Sequence, residues 1–433
     1  MQAADRKKKI FEITQGQVFS PDGKGKRLRY GGQVKTFIEF EIPMDLLVYN
    51  VENGRIASLV KSFEREHSSL DPEREADAKQ IAKFLYDSND IANKKTMKSL
   101  AANGQLESGI ITSDGVLVDG NRRASLMISI LQNPNEYTPE ERARCEKFRA
   151  VVLPEDADEK EILRLETTYQ MGADEKVGYN AIEKYLHARD MLDKGFGPVD
   201  ISEYMGLESV TKVQELLDVV KLIDDYLDYY EYTGIYTRLP RGFEDDLLKL
   251  NQAIKKIHSG KIYWIPTDRL EEVENDLKCI CFDFIRLNAK SQEGFEYRAI
   301  ASTAGNNFLA NEDIWNKFVA DWQKAICDVE EESIDDVLAT SRGAGDTERL
   351  LESRDKKWRD AVGEKLMEGF SDAKNTIDNQ KEKEKPTVLL RRAINALEQV
   401  NKDTISSSKD KTSILAQLEE ILGHYKSLKE AAK

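Results

Sequence analysis

The chain has 433 residues, and the 40% that are hydrophobic suffice for buried cores in two to four domains. Its 64 lysines and arginines against 79 aspartates and glutamates give a net charge of −15, so phosphate or nucleic-acid binding requires a local basic patch on an acidic molecule. Cys145, Cys279, Cys281 and Cys327 fit no zinc spacing, and no apolar run approaches the roughly 18 residues of a membrane span, which excludes a cysteine-ligated zinc module and a helical membrane protein.

Residues 5–35 hold nine Lys or Arg against three Asp or Glu, so 1–36 reads as a basic N-terminal extension, either a nucleic-acid surface or a solvated tail. The basic start lacks an apolar signal core, and Cys279 and Cys281 in "LKCICFDFIRL" read as reduced core residues, so the expected compartment is cytoplasmic. "PDGKGK" reads as a turn between two short extended pieces, and "FIEFEIP" as a strand. "NGR" (Asn53 to Arg55) marks a turn, and Glu64 to Leu106 reads as helix that Gly104 caps. "GIIT" and "GVLVDG" form a hairpin around "SDG", "RRASLMISILQ" is a helix and "FRAVVLP" a strand.

From 158 to 236 the pattern is helical, with breaks at "GFGP" and "MGLES"; residues 245–433 are also mostly helical. A linker is expected near 328–346, a second break near 379–386, and a terminal helical hairpin joined by "SSSKDKT". The predicted fold class is α+β: an N-terminal extension over 1–36, a small mixed domain over 37–157, then helical units over 158–244, 245–345 and 346–433.

In "VDGNRRASL" a strand ends at Val118, the chain turns at Asp119-Gly120, and a helix begins near Arg122 and Arg123. The first N–H groups of a helix lack internal partners and carry the positive end of its dipole. Glycine permits close backbone approach, and guanidinium forks match phosphate oxygens. Two readings stay open on spacing alone: a phosphate site, or an arginine pair bridged to nearby acids.

The layout of strand, "NGR", helix, "GQLESGIIT", "GVLVDGNRRASLMISI" and "FRAVVLP" over Phe37 to Pro154 resembles the N-terminal domain of the ParB/sulfiredoxin-like superfamily. Partition proteins of that superfamily bind the triphosphate of CTP, and sulfiredoxins bind ATP. The resemblance implies a nucleoside triphosphate (CTP or ATP) with Mg²⁺. Asn53, Arg55, Gly104, Gln105, Asp119, Gly120, Asn121, Arg122 and Arg123 would then lie around the phosphates. Asn121 replaces the acidic residue of the partition motif, leaving hydrolysis open, and Ser108 replaces the proline of the second loop. Asn121 also falls where sulfiredoxin has its cysteine, so that activity is not expected. "ETTYQ" partly matches a later metal-site motif; Glu166 is either a Mg²⁺ ligand or an exposed helical glutamate.

"GPVDISEYMGLESVTKVQELLDVVKLI" resembles a helix-turn-helix of the partition proteins, with Ile201 and Met205 facing the core and Gly206 in the turn. Its second helix would present Ser209, Thr211, Lys212 and Gln214 to DNA, with Lys212 the only cation. DNA contact and a structural or partner-binding role both remain open there. Tyr226, Tyr229, Tyr230, Tyr232 and Tyr236 are interleaved with four acids and read as a packing or protein-contact surface. His67, His187, His258 and His424 form no readable triad or metal pair.

The function expected first is nucleotide-dependent DNA binding, with the nucleotide switching conformation or dimer state; the resemblance places such proteins in mobile-element and phage-defence loci. One alternative is a metal-dependent nuclease, nickase or phosphotransferase using Asp119, Asn121 and Glu166. The other is an interaction scaffold with a vestigial phosphate pocket. The expected partners are DNA, nucleotide, and a second copy or another protein bound by the helical C-terminal half, with no membrane.

Overall fold

The fold is taken from a computed structural model that describes residues 1–88, 90–171, 181–300, 302, 307–341, 344–401, 405 and 411–432. The first basic run forms helix α1 (Ala3–Thr14). Arg6 and Ile10, one turn apart, share its inner face and are 2% and 1% exposed. The Arg6 guanidinium donates to Asp114 O at 2.9 Å, Met1 O at 2.7 Å and Glu73 Oε1 at 2.8 Å. The expected extension over 1–36 is therefore part of the fold.

Strands β1 (Lys26–Tyr30) and β2 (Gln33–Phe37) follow as an antiparallel hairpin with Lys26 opposite Phe37. Leu28 and Phe37 are fully buried against Ile110, Val118 and Val151. Those three side chains lie on one face of a second sheet, of order β3-β6-β4-β5, built from β3 (Glu39–Pro43), β4 (Gly109–Ile111), β5 (Leu117–Asp119) and β6 (Lys147–Val152). β4 runs parallel to β6; the other two pairings are antiparallel. Side chains alternate across a strand. Ile111, Leu117, Ala150 and Val152 accordingly face the opposite side and join the core under α2 (Ala57–Glu66), α3 (Glu75–Asp87), α4 (Asp90–Asn103), α5 (Asn121–Gln132) and α6 (Pro139–Ala143).

The single helix expected over 64–106 is thus divided, and an Asp71 side chain that accepts from Glu73 N at 3.0 Å shapes the break before α3. Gly104, with φ +69°, ends α4 as expected. β4, β5, α5 and β6 also match the sequence reading.

The helical part comprises α7 (Glu159–Met171), α8 (Ala181–Asp193), α9 (Pro198–Tyr204), α10 (Val210–Tyr229), α11 (Phe243–His258), α12 (Leu270–Arg286), α13 (Tyr297–Ile300), α14 (Glu312–Ile326), α15 (Ile334–Thr340), α16 (Ala344–Glu398) and α17 (Lys411–Ala431). One hydrophobic core crosses the boundaries expected at 244/245 and 345/346: Tyr226, Leu247, Ile280, Phe318, Trp358 and Phe370 all belong to it. The supposed linker over 328–346 contains buried Ile334 and Val337. The break expected at 379–386 is helical, with Pro386 inside α16. Part of the stretch joining the terminal helices, 406–410, lies outside the described residues.

Tyr226, Tyr230, Tyr232 and Tyr236 are buried and Tyr229 is exposed, so four of the five build the core. Cys281 is fully buried and Cys279 half-buried, as expected of core residues. Among the described residues no helix is long and apolar enough to cross a membrane.

Candidate functional site

The end of β5 and the start of α5 open into a cleft of about 680 Å³. Gly120 joins them with φ +103°, a left-handed conformation that favours glycine. A Cβ there would also lie 2.7 Å from Phe148 Cζ. The turn therefore holds the first residues of α5 at the cleft wall, where Gly120, Asn121, Arg122 and Arg123 all line it. Asn53 and Arg55 of the "NGR" turn line it too, as does Asp119.

The hairpin and β6 add two cations that the sequence reading missed, Lys26 and Arg149. The lining holds five cations, Lys26, Arg55, Arg122, Arg123 and Arg149, against three carboxylates, Glu39, Glu107 and Asp119. In a chain of net charge −15 this is a local positive site of the kind phosphate binding requires. Three of the cations donate to three consecutive carbonyls: Arg149 to Leu106 O, Arg123 to Glu107 O and Lys26 to Ser108 O. Asp119 Oδ2 lies 3.7 Å from Lys26 Nζ and 3.9 Å from Arg123 Nη2. Burial pushes the Lys26 ammonium below its ordinary range, against the pull of Asp119. The Tyr169 ring stands 5.2 Å from Lys26 Nζ and lines the same cleft.

Other predicted residues have different tasks. Gly104 lies outside the cleft lining, near Arg144, as a helix terminator. Gln105 clamps β6: Nε2 donates to Arg149 O at 2.8 Å, and Oε1 accepts from Arg149 N at 2.7 Å. It holds the 105–108 loop in place, and it is also outside the lining. Asn121 is 2% exposed, with Oδ1 accepting from Asn50 N at 2.9 Å and Nδ2 donating to Leu117 O at 2.8 Å. It fastens the "NGR" loop to α5. Ser108, in the proline's place, is buried and donates to Glu39 Oε1 at 2.6 Å.

Glu166 is neither exposed nor at the cleft. It is 2% exposed and sits behind the "NGR" turn, accepting from Gly54 N at 3.0 Å and Asn50 Nδ2 at 3.1 Å. Both oxygens are engaged, which does not fit a Mg²⁺ ligand. Among the described residues, no group of three His, Cys, Asp or Glu could hold a metal ion. Glu183 and His187 of α8 complete this support. Glu183 accepts from Ser58 N at 3.2 Å near the start of α2, and a Cβ on Gly54 would lie 2.6 Å from His187 Nδ1. The cleft thus rests on the helices that lead to α9 and α10.

Ser209, Thr211, Lys212 and Gln214 are exposed at the start of α10, away from the cleft lining. Ile201, Met205 and Val213 are buried as expected, and Gly206 has φ +65°. Lys212 pairs with Glu215 at 2.9 Å, and Gln214 donates to Asp218 at 2.9 Å, so neighbouring acids occupy the donors on this face.

A comparison with protein-family models and with curated proteins gives no match. The functional reading therefore rests on the cleft itself.

Burial pushes the Glu166 carboxyl up to about 8, against the Gly54 N–H that favours its charged form. The folded chain thus holds this proton more tightly than the unfolded chain does. Between pH 4.5, the ordinary value, and about 8, the group makes stability fall as pH rises. Glu166→Gln removes that slope. In urea titrations the variant should gain on the wild type by on the order of 2 kcal/mol between pH 5 and pH 8. A difference that does not change with pH would refute the assignment. His187, pushed down to about 4 by burial, contributes the opposite slope in both proteins and cancels in the comparison.

Proposed function

We propose that the chain is a nucleotide-binding protein that holds the phosphates of a nucleoside triphosphate at the α5 cleft, with binding coupled to the helices beyond it. The observation that carries this is the convergence of Lys26, Arg122, Arg123 and Arg149 on one cleft at a glycine-opened helix N-terminus. The resemblance of "VDGNRRASL" to the ParB/sulfiredoxin-like phosphate motif supports the same ligand class. Magnesium would enter with the nucleotide, and Asp119 is the carboxylate nearest the α5 turn.

DNA is the output partner proposed with the nucleotide, through the α9–α10 pair. A second reading is favoured by a specific observation: the outward face of α10 offers Lys212 alone, already paired with Glu215. On that reading the cleft controls a protein partner, and the chain is a scaffold. Calorimetry with CTP, ATP and GTP in the presence of Mg²⁺, followed by a DNA mobility shift with and without the binding nucleotide, tests both. The expected result is one triphosphate bound at micromolar concentration and a shift that depends on it. No heat from any triphosphate at millimolar concentration refutes the nucleotide proposal. Nucleotide binding with no DNA shift, and a stoichiometric co-purifying protein, selects the scaffold.

A further inference from the structure

Helix α17 has no buried residue, and Leu415, Leu418, Leu422 and Tyr425 are all exposed along it. Their spacing of three, four and three is that of the a and d positions of a two-helix seam. The helix has 21 residues, or three heptads, and is roughly 30 Å long. Ile414, Ile421 and Leu428 flank the seam on one side, each just before an a position. Glu419 and Lys426 flank it on the other, each just after a d position. Acid lies in the first half of the helix and base in the second.

We propose that α17 pairs antiparallel with α17 of a second copy, giving a homodimer. The flanking residues select this occupant and this direction. Parallel pairing faces each charged flank with the apolar flank of the other helix, setting Glu419 beside Ile414 and Lys426 beside Ile421. Antiparallel pairing faces like flank with like. Leu415 then meets Tyr425 and Leu418 meets Leu422 across the seam. Ile421 meets its own copy, and Glu419 meets Lys426. The competing occupant is the stripe of Leu390, Ile394 and Leu397 on α16 of the same chain, which would close a hairpin and leave a monomer.

Sedimentation of the full chain at micromolar concentration should give the mass of two chains. Leu418→Asp with Leu422→Asp should give one. Glu419→Lys and Lys426→Glu should each weaken association by about tenfold, since two cross-chain pairs turn repulsive. Combining them should restore it to within about threefold, because the charges exchange places. A one-chain mass for the wild type overturns the proposal, as does a two-chain mass that survives the double aspartate substitution. Failure of the combined reversal to restore association overturns the antiparallel arrangement. α17 contributes nothing to the hydrophobic cores, so these substitutions leave the fold intact.

Discussion

Replacing Arg122 and Arg123 together with alanine should weaken triphosphate binding by roughly a hundredfold or more, while the thermal midpoint moves by only a few degrees. Each charge-assisted contact to phosphate is worth about 1.5–3 kcal/mol, and each 1.4 kcal/mol is about tenfold in affinity. Arg123 donates to Glu107 O and lies 3.9 Å from Asp119, contacts on a surface that stays about a fifth exposed. Their loss costs little in stability because solvent screens them. Lysine at both positions keeps the charge but loses the fork, so affinity should fall between wild type and the alanine variant. Asp119→Asn gives an opposing result. It removes a carboxylate that competes with phosphate for Lys26 and Arg123, and should strengthen binding of the metal-free triphosphate. Calorimetry with the nucleotide, run beside thermal unfolding, measures both quantities. Undiminished triphosphate binding by the double alanine variant would refute the site, and so would a loss of folding with no nucleotide affinity in the wild type.

The β4 to α5 segment was legible because its signals are local. Alternating apolar residues give the hairpin, Gly120 marks the turn, and the apolar periodicity of 121–132 gives the helix. The two arginines came with it. Lys26 did not, because its approach to the cleft depends on the β1–β2 register and on Phe37 burying itself against Ile110 and Val151. Those contacts span more than 70 residues. Glu166 failed for the same reason: nothing in "RLETTYQ" announces that Gly54 and Asn50, more than 110 residues earlier, will donate to it. Gln105 was placed in the right neighbourhood with the wrong partner, the backbone of β6 rather than the cleft. The acidic run near 328–346 resembled a linker by composition. In the fold Glu331 is held by Arg286 and Arg354, so part of its charge serves the interior.

Arg286→Ala should cost about 3–5 kcal/mol of stability, the usual consequence of removing one partner from a buried ion pair. Arg286, at the end of α12, is 2% exposed, donates from Nε to Asp355 Oδ1 at 2.8 Å, and donates to both oxygens of Glu331 at 2.8 and 2.6 Å. Its guanidinium stands 4.4 Å from the Tyr230 ring and 4.6 Å from that of Trp358, a cation between two aromatic faces. Asp355 also accepts from Tyr232 Oη at 2.6 Å and from Arg238, so the node ties the end of α10, α12, the 331 loop and α16 together. Asp355→Ala should be comparably damaging. The double variant should be less unstable than the sum of the two, because each single change strands the other's charge. Urea unfolding of the four proteins measures the coupling, and additive losses would show that the two residues act independently. The same node bears on the supposed boundary at 345/346. Ending the chain there removes Asp355 and Trp358 together with Leu351, Val362, Leu366 and Phe370 from one continuous core. It leaves Arg286 buried without its carboxylate from α16. A chain ending at residue 345 should therefore aggregate, whereas one ending at 400, beyond the last buried side chain at Ile377, should keep the wild-type unfolding transition.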